Sequence, residues 1–138
     1  MSAYQYMQTL HWPYFLRKAI NIGWLDARHE FVVGDVPQDF VDALFDHCCL
    51  QPVRKLMGNH ECGICISKGM SPQSIFSHNG KQAILGDAEI EIPFGRSRLF
   101  VAPTLIFHYV RDHAYRPPDD FVKAVLARRD GRRKRGPG

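Results

Sequence analysis

The chain has 138 residues and a formal net charge of +4, with 45% hydrophobic and 23% charged residues. That balance suits one globular domain with a packed core and excludes wholesale disorder. No run approaches the roughly 20 apolar residues of a membrane span, and MSAYQYMQTLHWPYF lacks the basic-then-apolar pattern of a secretory leader, so a cytoplasmic protein is expected.

The aromatic-rich opening predicts a helix from about Pro13. Proline suits a first turn, and Phe15, Leu16, Ala19, Ile20 and Ile22 follow at near-helical spacing up to Gly23. The next stretch, to Asp35, reads as a connector with a short extended piece at Glu30 to Val33. A second helix is predicted from Pro37. Asp39 favours its dipole, Phe40, Val41, Leu44, Phe45 and Cys48 share one face, and Pro52 stops it. Residues 53–59 lead into a knuckle at 60–65, and Lys68 to Gly80, rich in Gly, Ser, Pro and Asn, read as a loop. In DAEIEIP, Ala88, Ile90 and Ile92 alternate with Glu89 and Glu91, the signature of a half-buried strand. FGRS turns into RLFVA, which completes a β-hairpin. A helix follows over 104–113, and after AYRPPDD a last one over Phe121 to Arg129.

Pro37 to Leu44 resembles Pro118 to Val125. Two similar helix starts, each with proline, early acid and Phe, explain this better than a duplication. The segment Arg128 to Arg135 (RRDGRRKR) has a net charge of +5, which leaves the other 130 residues at −1. Residues 1–127 are therefore expected to form the domain, and 128–138 a basic tail without structure of its own.

The chemistry-bearing residues are Cys62, Cys65, His108 and His113. Cysteines two residues apart let both thiolates reach one ion. Zinc takes thiolate and imidazole in a tetrahedron, and three to five residues between histidines is a usual spacing. On an ideal helix His108 and His113 point about 140° apart, so both can reach one ion only if the helix loosens or tightens at its end. His60 is the rival ligand. Four protein ligands close a site, whereas three leave a water position whose pKa zinc lowers to about 7. Glu61, Glu89 or Glu91 could then serve as base. The zinc deaminase signature and the metalloprotease H-E-x-x-H are both absent, because His60-Glu61 is followed by Cys62-Gly63-Ile64.

The strings GWLDARHEF, NHECGIC, EIEIP and VAPTLIFHYVRDHAYRPPDDFVKAV give the chain a resemblance, over about 22–126, to a family of small uncharacterised bacterial proteins with a C-x2-C…H-x4-H, zinc-finger-like motif. The resemblance implies a bacterial cytosolic protein with such a site, and no reaction.

The expected fold is α+β: one small domain with a zinc knuckle, a hairpin and a ligand-bearing helix, treble-clef-like, packed with further helices. The expected function is a non-enzymatic Zn2+-binding module that engages a protein partner, with an apolar surface sought at Trp12, Trp24 or Tyr115. Two alternatives stand beside it. One is nucleic-acid binding through Arg128, Arg129, Arg132, Arg133, Lys134 and Arg135. The other is a zinc hydrolase with an open site.

Overall fold

The computed structural model describes residues 9–11, 18–50, 52–55 and 60–135 of the chain, with side chains from 18 onward except at 54–55 and beyond Arg128. In chain order the elements are β1 (Thr9–His11), β2 (Lys18–Asn21), α1 (Gln38–Leu50), β3 (Arg54–Lys55), α2 (Gly63–Ser67), β4 (Ile75–His78), β5 (Lys81–Ile84), β6 (Ala88–Phe94), β7 (Arg98–Pro103), α3 (Ile106–His113) and α4 (Asp119–Arg135). The expected α+β class holds.

A five-stranded sheet has the order β1-β2-β7-β6-β3. β6 and β7 form the expected hairpin, pairing Ile90 with Ala102 and Ile92 with Phe100. Strand alternation puts these four on one face, and all four belong to the main core. Glu89 and Glu91 point to the other face, where Ala19, Leu99 and Val101 form a small buried cluster. α1 carries the predicted face inward: Phe40, Val41, Leu44, Phe45 and Cys48 are all buried.

The two similar helix starts have the same local geometry. The amides of Phe40 and Val41 donate to the Pro37 carbonyl, and those of Phe121 and Val122 to the Pro118 carbonyl. The two phenylalanines then meet edge to face, with ring centroids 6.1 Å apart and planes at 82°. Each helix uses its first inward residue to pack against the other.

The structure departs from the sequence pattern in three places. Lys18–Asn21 is a strand running parallel to β7, where a helix to Ile22 was the expectation. Residues 12–17, which include Pro13, lie outside the described residues. Long-range pairing decides this segment, since β7 lies some 80 residues away in sequence, and local spacing does not see it. Second, the expected loop from Lys68 to Gly80 contains β4, which pairs antiparallel with β5 in a separate two-stranded sheet. Third, α4 continues past Arg129, so the backbone is helical to Arg135 where a structureless tail from Arg128 was expected. Among the described residues no helix is long and apolar enough to cross a membrane.

Candidate metal centre

The cysteine turn is made by α2. Cys62 is its N-cap in extended conformation, and its sulfur accepts from the Cys65 amide at 3.3 Å. Upstream of that turn, the His60 amide donates to the Gly86 carbonyl at 2.6 Å. The Gly86 amide donates in turn to Thr104 Oγ1 at 2.9 Å, just before α3. Only glycine serves here: its φ is +107°, and a Cβ would stand 2.7 Å from the His60 carbonyl oxygen. One residue thus ties the start of the cysteine turn to the start of the histidine helix.

α3 resolves the 140° problem by widening at its end. The amides of Ala114 and Tyr115 both reach back to the Tyr109 carbonyl, five and six residues away. Ala114 is left-handed, at φ +57°. A wide last turn rotates less per residue than an α-helical one, which brings His113 round toward His108. Their rings lie 4.7 Å apart at 78°.

The four predicted side chains converge. Cys65 Sγ is 3.3 Å from His108 Nε2 and 3.4 Å from His113 Nε2, and Cys62 Sγ is 3.4 Å from His113 Nε2. One ligand atom from each residue lies within 4.8 Å of the others, and Cys62, Cys65 and His108 are buried while His113 is half-buried. A tetrahedron with bonds of about 2.3 Å to sulfur and about 2.05 Å to nitrogen separates sulfur from nitrogen by about 3.6 Å. The three sulfur–nitrogen spacings of 3.3–3.4 Å fall about 0.2–0.3 Å short of that edge, so the donor set is compatible with one small cation. No disulfide joins the cysteines, and all four are free.

A family model described as Domain of unknown function (DUF7919) matches residues 1–126. The chain belongs to that family. No curated protein and no solved structure matches it.

The other expected site residues of this DUF7919 chain fall elsewhere. His60 is exposed and outside the cluster, with its ring edge-on to Trp24 at 6.1 Å. Glu61 is exposed. Glu89 and Glu91 sit on the sheet face opposite the core that holds Cys62 and Cys65. Of the three aromatics sought as an exposed patch, Tyr115 is 2% exposed and core, Trp24 is half-buried, and Trp12 lies outside the described residues. Tyr115 faces inward because it bridges to Val33 and packs edge-on against Phe31.

Around the four clustered residues stands a supporting set that the cysteine and histidine spacings alone did not reveal. His108 Nδ1 and Asp112 Oδ2 are 2.7 Å apart, which leaves Nε2 free to face Cys65. Arg111 clamps Asp112 with Nε 2.9 Å from Oδ1 and a second nitrogen 3.0 Å from Oδ2. Burial pushes the Asp112 carboxyl up, but the His108 hydrogen bond and the Arg111 guanidinium outweigh it and hold the group well below the ordinary carboxylate range. Histidine followed four residues later by Asp on one helix was the available signal.

Burial, with the neighbouring Cys65 thiol adding to it, pushes Cys62 up to about 11 against the help of the Cys65 and Ile64 amides. Burial, the His108 charge and Lys68 push His113 down, favouring the neutral imidazole that a metal needs. Two buried polar atoms of α3, His113 Nδ1 and the Tyr109 hydroxyl, have no hydrogen-bond partner. Burial and the two thiols push the Tyr109 phenol up, so it stays a neutral hydroxyl in the wall of the cluster.

Proposed function

We propose that Cys62, Cys65, His108 and His113 hold one Zn2+ as a closed structural centre in a non-enzymatic interaction module. The observation that carries this reading is the convergence of four ligand atoms, two sulfur and two nitrogen, within 4.8 Å of one another. The donor set favours zinc: soft thiolates with imidazoles in a tetrahedron suit it, whereas magnesium and calcium want oxygen. With all four positions filled by protein, no coordination site is left for a reactive water. The ion's work is then to join the cysteine turn to α3 across the 42 residues that separate Cys65 from His108.

Metal analysis of protein purified without chelator tests the first part, with one equivalent of zinc expected. Cobalt exchange tests the geometry, because a tetrahedral S2N2 site gives intense visible bands and a sulfur-to-cobalt charge-transfer band. An open, hydrolytic site would use His113 as its replaceable ligand, since it is the half-buried one. Zinc kept in His113→Ala with unchanged stability would move the reading to that alternative. Nucleic-acid binding that falls steeply with salt, and vanishes on removal of 128–138, would name the partner class instead.

A further inference from the structure

The β4–β5 hairpin is the one sheet of the described residues with only two strands. A two-stranded hairpin is marginal by itself in water, so its order depends on what it packs against. Its inward anchor is Phe76, 2% exposed, whose ring centroid lies 5.1 Å from that of His108. The second anchor runs through the same histidine. Arg111 Nη1 donates to the Ser77 carbonyl at 2.6 Å, while the rest of its guanidinium clamps Asp112, which holds His108. These two ties of β4 to α3 converge on one ring of the Cys/His cluster, while a third, His78 on Phe107, does not.

The hairpin tip is held differently. His78 contacts Asp42 at 2.8 Å and packs on Phe45 and Phe107, and Lys81 pairs with Asp46 at 3.2 Å. These contacts reach α1 and Phe107, and none touches a ligand. The outer face carries Ile75 directly opposite Ile84, each 59% exposed.

We propose that the hairpin is a metal-conditional flap. With the ion bound, His108 is fixed, Phe76 has a rigid floor, and β4 stays seated. With the ion lost, His108 is free to turn, the strut through Asp112 and Arg111 loosens, and β4 and β5 detach while the tip stays tethered to α1. The metal site would thereby control whether Ile75 and Ile84 stand as a flat ordered pair. This inference rests on the four-ligand reading of the cluster.

Amide hydrogen exchange on the full chain, with zinc and after chelation, tests it. Chelation is expected to lower protection at least tenfold in 75–78 and 81–85 while β6, β7 and α1 keep theirs. Arg111→Ala, which removes no ligand, is expected to weaken protection at 75–78 several-fold when measured at saturating zinc. The proposal is overturned if the hairpin keeps its protection in the chelated protein, if it loses it only together with β6 and β7, or if Arg111→Ala exchanges like wild type with zinc bound. Zinc uptake with an indifferent hairpin would sink the flap alone. A chain that takes up no zinc would sink the flap and the metal reading together.

Discussion

His108 can present Nε2 to the cluster because Asp112 holds its other nitrogen at 2.7 Å. A histidine that is free to flip or to carry its proton on Nε2 is a poor ligand. Asp112→Asn keeps the size but loses the charge, and such supporting changes typically weaken metal affinity about 10–100-fold. Competition against a chelator of known affinity measures this, and an unchanged affinity would contradict the assigned role. Proton release gives a second prediction at this scale. Because Cys62 is pushed up to about 11, it is protonated in the metal-free protein at neutral pH, and an incoming ion must expel that proton. Acid therefore opposes binding and base favours it. This thiol alone makes affinity rise about tenfold per pH unit between pH 6 and 8. Burial pushes His113 below its ordinary value, which favours the neutral form that an ion binds. Chelator competition at three pH values reads the slope, and a flat profile would contradict thiolate ligation.

Among the elements, the join at Gly86 decides whether the cysteine turn and α3 stay in register. Gly86→Ala meets the His60 carbonyl at 2.7 Å and an unfavourable φ at once, which should cost about 2 kcal/mol in a denaturant titration. Unchanged stability would mean that His60 is not fixed there. α1, β6, β7 and α3 were legible in the sequence because each carries its own local signal: Pro37 with Phe40, alternation in EIEI, and the Pro103-Thr104 start. The clustering of Cys62, Cys65, His108 and His113 was legible for a related reason, since C-x2-C is set by one turn and H-x4-H by one helix. β2 was not, because Ala19 and Ile20 fit a helix period as well as a strand, and the choice is made by pairing with Leu99 and Phe100. The β4–β5 hairpin had a signal that composition obscured. Asn79-Gly80 is a favoured two-residue hairpin turn, and both residues have positive φ, 52° and 78°. Its strands are short and polar, with Phe76 the one fully buried side chain, so no alternation announced them.

For the whole molecule, the core and the proposed metal centre are expected to be partly separate sources of stability. Zinc-finger peptides have almost no other core and are unfolded without their ion. Here Phe40, Phe45, Phe100, Phe107, Phe121, Ile90 and Ile92 are all buried at 1% exposure or less. Burying each such side chain is worth about 1.5–3 kcal/mol before entropy is counted. Chelation is therefore expected to lower the melting temperature and loosen the α2 and β4–β5 region while the main sheet, α1 and α4 persist. Far-UV and near-UV circular dichroism of the chelated protein checks this, and complete unfolding would show that the core cannot stand without the metal.

The central claim is that four residues from two distant segments share one zinc ion. Metal content and melting temperature, measured together on wild type, Cys62→Ser, His108→Ala, His113→Ala and His60→Ala, test it most directly. The account predicts one equivalent of zinc in wild type, lost with a fall in melting temperature in the first three variants and retained in His60→Ala. Wild-type protein purified without chelator that carries no metal, or zinc that survives Cys62→Ser and leaves with His60→Ala, would contradict it.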